Sequence, residues 1–326
     1  MIKSVFLRVF STIVALVMLI TVGLPAGEDY DVKDPDACVM NFSVISDTHV
    51  EGNNPMRYKV FAKSCQNVKK NKSGNDAVVF LGDNTMNCQH IENMLFHGTV
   101  GTVLKGENVL PVMGNHDIGN GEGDYEQLQN RWFDYTRAFF GKDLKHPYYY
   151  EVVEGCYFIV LGMEGHDVHD MMMTEEQFTW LAGVLDKAAE SGMPTFVFSH
   201  HPTDYAVDES GEETSRLIDM LAAFNQEHDL FAFVGHTHMP MHLFWSFHNS
   251  DGFPETYLPR ITTLGGEDDH EVLDDTGVGV EVEVYANEVV IRARDFFRGV
   301  WKTDDWEDDE PLMEVTYQLK NPVAAQ

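Results

Sequence analysis

Val39-Met40-Asn41-Phe42-Ser43-Val44-Ile45 runs directly into Ser46-Asp47-Thr48-His49, so a short stretch rich in apolar residues closes on two side chains of metal-binding type. Four further runs end the same way. Residues 77–81, 109–112, 195–198 and 230–234 close on Gly82-Asp83-Asn84, Gly114-Asn115-His116-Asp117, His200-His201-Pro202 and Gly235-His236-Thr237-His238. Short Val, Ile and Phe runs bounded by polar or glycine-containing clusters read as buried strands, and the longer mixed segments between them read as helices. A sixth run, 157–161, has no such ending. An α/β fold follows, with five polar clusters on loops at one end of a sheet, where open α/β folds place their sites. Asp47 to Asp83 and His200 to His236 each span 36 positions, room for a strand, a helix and a strand.

Other segments give more local expectations. Thr174-Glu175-Glu176-Gln177, followed by Phe178, Leu181, Val184 and Leu185, predicts an N-capped amphipathic helix with a capping-box glutamine. Residues 277–294 alternate Val280-Glu281-Val282-Glu283-Val284 and turn near Ala286-Asn287, a hairpin of half-exposed strands. The aromatic-rich segment 119–150 is expected to hold a helix near the site, and residues 203–213 to overhang it.

Twenty-two basic against 53 acidic residues give a formal charge of −31, which repels nucleic acids and anionic membranes and leaves a small substrate as the expected partner. Lys3 and Arg8 precede an uncharged apolar stretch at 9–24, then Pro25-Ala26-Gly27. This is the layout of a secretory signal at 1–26, with an uncleaved anchor as the alternative; membrane contact is expected only there. The chain is therefore expected to be exported, whether secreted, periplasmic or at the cell surface. The main domain is expected over 38–300, with an acidic extension at 301–326. Cys38, Cys65, Cys88 and Cys156 allow two disulfides in an oxidising compartment or buried free thiols, and form no Cys-x-x-Cys pair. Sequence leaves the oligomeric state open.

Phosphate esters resist hydrolysis because their oxygens repel nucleophiles and neutral water is a weak one. Two cations held about 3.5–4 Å apart answer both difficulties, given one bridging carboxylate with imidazole and oxygen ligands on either side. The five blocks, in order over residues 39–238, resemble the signature of the calcineurin-like metallophosphoesterases. The resemblance implies a four-layer α/β/β/α sandwich with mixed sheets. It implies that Asp47, His49 and His238 hold one metal, that Asn115, His200 and His236 hold the other, and that Asp83 bridges. It implies a metal-bridging hydroxide as nucleophile, with His116 as general acid and Asp117 orienting or charging its ring. Ligands of these types accept manganese, iron, zinc, nickel or cobalt, as divalent or trivalent ions.

The same resemblance favours His200 over His201 as ligand, leaving His201 behind the site or on its substrate side. Asn84 is expected to serve substrate or ligands. Asn53, Asn54 and Arg57 either touch a bound phosphate or cap and solvate a helix. His166, His169 and Asp170, before Met171-Met172-Met173, read as a polar loop followed by core methionines rather than a third metal site. The acidic stretches 267–269 and 304–310 lack the ligand spacing of a calcium loop. Purple acid phosphatases carry a tyrosine three positions after the bridging aspartate; here that position is Met86, which argues against a charge-transfer iron site. The pattern resembles bacterial-type phosphodiesterases, and implies hydrolysis of a phosphomonoester or phosphodiester. A scaffolding protein that keeps the metals without catalysis is the alternative, and the presence of His116 argues against it.

Overall fold

The computed structural model describes residues 2–23, 27–241, 247–249, 251–266, 271–273, 275–302 and 313–323. Among them lie six helices: α1 (Ile2–Val22), α2 (Pro55–Val68), α3 (His90–Val103), α4 (Tyr125–Phe140), α5 (Glu175–Ser191) and α6 (Arg216–Glu227). The acidic stretches at 267–269 and 304–310, and the Pro25-Ala26 step, lie outside the described residues.

Two mixed sheets form the centre. In the first, Met40–Ile45, Ala77–Leu81 and Val109–Val112 run parallel, and Val278–Val284 and Glu288–Asp295 extend them antiparallel. In the second, Cys156–Val160, Thr195–Ser199, Leu230–Val234 and Glu255–Tyr257 run parallel, with Tyr149–Val153 and Phe247–His248 antiparallel at its edges. Uninterrupted apolar sequence suits parallel strands because both faces are covered. The sheets meet face to face: the Phe42 ring lies 4.8, 4.9, 6.0 and 6.1 Å from those of Phe158, Phe196, Phe198 and Phe233. Each such pair adds about 0.5–1.5 kcal/mol to the burial of apolar area. On the outside, Phe61 and Phe96 seat α2 and α3 against Phe80, while Phe178, Leu181, Leu217 and Leu221 seat α5 and α6 against Ile159, Val197 and Ala232. The result is the expected four-layer α/β/β/α sandwich.

Several local expectations change in detail. Thr174 caps α5 by accepting the Gln177 N–H at 3.2 Å, and the expected apolar face is buried. The Gln177 side chain, however, turns inward to the N–H and carbonyl of Gly162, and Glu164 takes the Thr174 N–H instead. Asn54 caps α2 by accepting from Met56 and Arg57, with Pro55 at the first helical position. The hairpin forms where expected, but its first strand is buried throughout. Glu281 and Glu283 do not face water. Tyr30 and Ser43 donate hydroxyls to Glu281, the Lys33 N–H and the Arg292 guanidinium meet Glu283, and Arg294 stacks on Tyr30 and Trp301. Part of that cover, from Tyr30, Lys33 and Trp301, comes from segments too distant in sequence for a strand pattern to reveal.

The expected boundary at 300 leaves no break in the sheet, because Val300–Trp301 and Glu314–Gln318 both pair with Glu288–Asp295. The four cysteines are free thiols, three buried and Cys38 partly so. Burial pushes the Cys88 and Cys156 thiols up to about 12, so they stay protonated and inert. Helix α1 is long and apolar enough to cross a membrane, and it packs Ser11 and Ala15 against α3 while Phe6, Val9, Ile13 and Ile20 stay exposed.

Candidate metal centre

All five polar blocks follow the carboxyl ends of parallel strands. Eight described non-glycine residues have positive φ, and five belong to the blocks: Asp47 (53°), His49 (39°), Asp83 (47°), His236 (64°) and His238 (53°). Left-handed backbone at such residues costs on the order of 1–3 kcal/mol each and persists only where the surroundings over-determine it. Here the loops clasp one another: Asp47 N–H donates to Gly82 at 3.2 Å, His49 N–H to Asp83 at 2.8 Å and Gly235 N–H to His200 at 2.9 Å. The glycines allow that closeness. A Cβ on Gly82 would stand 2.5 Å from His200 Nδ1, and one on Gly114 would stand 2.3 Å from Asp83 Oδ1.

The side chains converge in two halves. In the first, His238 Nε2 lies 3.1 Å from Asp47 Oδ1 and 3.2 Å from His49 Nε2. His49 Nε2 is in turn 3.7 Å from Asp83 Oδ2. The ligand atoms of Asp47, His49, Asp83 and His238 all lie within 4.8 Å of one another. In the second half, Asn115 Oδ1 is 3.2 Å from both His200 Nε2 and His236 Nδ1, and His200 Nε2 is 3.2 Å from Asp83 Oδ1. Asp83 thus turns one oxygen to each half.

This donor set fits metal ions. Asp47 Oδ1 is buried without a well-directed hydrogen bond, and the His49 and His238 ring nitrogens stand 3.2 Å apart, close enough to share a cation. Burial by itself would raise both aspartates, but the imidazoles around them hold Asp47 and Asp83 well below the usual carboxylate range. Burial likewise opposes a charge on His200, yet the Asp83 carboxylate drives its pKa up to about 9. Burial pulls His49 and His236 down to about 4, so their ring nitrogens are neutral and free to bind a metal near neutral pH. Candidate ligands from both sheets therefore meet in one place.

His116 stands beside them, its Nε2 3.8 Å from Asp83 Oδ2 and its ring at right angles to His49. Its Nδ1 lies 2.7 Å from the carbonyl of Met86. The expectation that Asp117 orients this ring is corrected. Both Asp117 oxygens are occupied elsewhere, accepting from Gly114 N, Asn84 N and Nδ2, and Thr85 N and Oγ1 at 2.9–3.1 Å. Asp117 pins the second and third loops together, and burial beside Asp83 pushes its pKa up to about 6.

Asn84 is likewise fully buried and spans from Asp117 to the Val112 carbonyl, so it braces the loops and does not face substrate. His201 lies 4.1 Å from the His236 ring, ring centre to ring centre, backing that candidate ligand, and its Nε2 is 3.4 Å from the Val168 carbonyl. Arg57 is buried against Met86 Sδ at 3.3 Å and Glu51 at 3.5 Å. Among the other loops, Tyr205 overhangs His236 at 6.0 Å, whereas α4 sends Trp132 into the core beneath the third loop with Met113 and Ile118. His166 lies 2.7 Å from the Ile118 carbonyl, and the backbone N–H groups of His169 and Asp170 close a turn on Asp167. Met171 and Met173 fill the core. Reading the sequence missed Ser46, whose hydroxyl donates to Asp47, and the Met86 carbonyl. A backbone acceptor leaves no trace in residue type.

Fold and ligand set together define a metal-dependent phosphoesterase, a hydrolase of phosphate esters. The chain belongs to the calcineurin-like phosphoesterase family, whose sequence profile matches residues 40–240. A dimetal phosphatase from Danio rerio has a similar structure, with TM-score 0.53 and 16% identity over 86% of this chain and 99% of that one. A serine/threonine phosphatase from Saccharomyces cerevisiae aligns with TM-score 0.38 and 13% identity over 95% and 93% of the two chains. Comparison with curated protein sequences finds no match.

Proposed function

We propose that this phosphoesterase hydrolyses a small phosphomonoester or phosphodiester outside the cytoplasm, with two metal ions held by the seven side chains named above. Asp47, His49 and His238 hold one ion, Asn115, His200 and His236 the other, and Asp83 joins them. The observation that carries this reading is Asp83, whose two oxygens face different halves of the centre at 3.7 and 3.2 Å from His49 and His200. When bound, the ions supply Lewis acidity and lower the pKa of a water between them.

The chain supplies the remainder. Asp47 and Asp83 contribute two negative charges, fewer than two divalent ions carry, so an anionic ester is attracted locally to an acidic protein. His116 donates a proton from Nε2 to the leaving oxygen. The Met86 carbonyl accepts from Nδ1–H, which fixes the ring and leaves Nε2 as the atom that faces the centre. The apolar N-terminal helix supports export, as a signal or as a membrane anchor.

The test is release of p-nitrophenol from bis- and mono-p-nitrophenyl phosphate by the purified full chain. Turnover should appear with manganese and vanish on chelation, and the ratio of the two rates assigns diesterase or monoesterase. No turnover with manganese, iron, zinc, nickel or cobalt would overturn the proposal.

A further inference from the structure

The third block ends in a loop that folds back on Asn115. Asn120, between Gly119 and Gly121, adopts φ 53°, one of the few left-handed non-glycine positions outside the candidate ligands. Its N–H donates to the Asn115 carbonyl at 2.8 Å, the same carbonyl that receives Ile118 N–H at 3.3 Å. This closure brings two amide side chains together, and Asn115 Nδ2 donates to Asn120 Oδ1 at 2.8 Å.

The consequence lies at the other end of the Asn115 amide. An asparagine amide has two orientations nearly equal in shape and opposite in polarity, and only its hydrogen-bond partners choose between them. In the orientation present, Oδ1 points to the meeting place of His200 Nε2 and His236 Nδ1, 3.2 Å from each. Once His200 has given up its Nε2 proton, as any metal ligand must, three electron-pair donors converge, an arrangement that a cation satisfies. Flipped, the amide would aim its NH2 group at the same two deprotonated nitrogens and hydrogen-bond them. The second half of the centre would then be satisfied without metal, and a cation would have to break those bonds to enter.

We propose that Asn120 is a positioning residue that holds Asn115 in its metal-accepting orientation, since a flip of Asn115 alone would press its oxygen against the Asn120 oxygen, so that both amides would have to turn together. The proposal rests on the dinuclear reading above and deepens it. Asparagine and glycine both tolerate the left-handed backbone this loop needs, so Asn120→Gly removes the acceptor while keeping the turn. Asn120→Asp keeps an acceptor toward Asn115 and can offer nothing else.

The experiment is calorimetric titration of manganese into metal-free wild type, N120G and N120D, with the melting temperature of each metal-free protein measured alongside. Wild type should bind two ions. N120G should bind one with wild-type affinity and the other about 10–100-fold more weakly, the usual cost of losing a group that orients a ligand. N120D should bind both at least as tightly as wild type. Equal second-ion affinity in N120G and wild type, or weakening in N120D as large as in N120G, would overturn the role of Asn120. So would a metal-free N120G that melts well below wild type, which would mark a residue serving only the fold. A wild type that binds fewer than two ions would instead overturn the dinuclear centre itself.

Discussion

The first sheet buries two pairs of carboxylates, and they are handled in opposite ways. Asp47 and Asp83 lie at strand ends among imidazoles, with an oxygen of Asp47 lacking a well-directed donor. Glu281 and Glu283 lie on the neighbouring strand Val278–Val284 and are met by Tyr30, Ser43, the Lys33 N–H, Arg292 and Arg294. A buried acid needs compensation from somewhere. For the glutamates the chain supplies hydroxyl, amide and guanidinium partners, although one Glu281 oxygen also lacks a directed hydrogen bond, whereas the aspartates are surrounded by imidazoles whose nitrogens can share a metal ion with them. Burial by itself does not mark a functional acid; the kind of group that surrounds it does.

The comparison can be broken at four points. Asp83→Asn should have the largest effect, removing turnover to background and emptying both ion positions by elemental analysis. Retained metal in that variant would mean that the carboxylate does not join the two halves. His116→Asn should lower kcat about 10²- to 10⁴-fold, the contribution of one general acid, with metal content unchanged. A matching loss of metal would reassign His116 to the ligands.

On the glutamate side, Arg292→Met removes the guanidinium from Glu283 and should destabilise the fold by about 3 kcal/mol in urea unfolding. The folded fraction should keep its kcat, since neither group belongs to the centre. The smallest effect per pH unit concerns Glu281, whose pKa burial pushes up to about 7 from an ordinary 4.5, against the lowering effect of Tyr30 and Ser43. Between those values the folded chain binds a proton that the unfolded chain releases, so stability falls as pH rises from about 4.5 to 7. The slope is at most about 1.4 kcal/mol per pH unit. Glu281→Gln should flatten that window in urea melts at a series of pH values, and an unchanged slope would assign it to another group.

What the sequence conveyed follows from how local each signal is. Each of the five blocks joins a strand run to ligand-type residues within about ten positions, so strand ends and candidate ligands could be read together. Asp117 could not be read correctly, because its neighbour His116 suggested a partner while its real partners, Asn84 and Thr85, lie more than 30 positions away. Gln177 sat in a capping pattern, yet its amide reached the backbone of Gly162 on another element. The glutamate hairpin showed the alternation of a half-exposed sheet, because Tyr30, which covers it, is 251 positions from Glu281. In each case the missing information was a contact between distant segments.

Anomalous scattering from crystals of the full chain grown with manganese tests the central claim most directly. Two peaks about 3.5–4 Å apart should appear with Asp83 between them, one beside Asp47, His49 and His238 and the other beside Asn115, His200 and His236. No peak at these side chains, or a single one that leaves Asn115, His200 and His236 without a metal, would contradict the account.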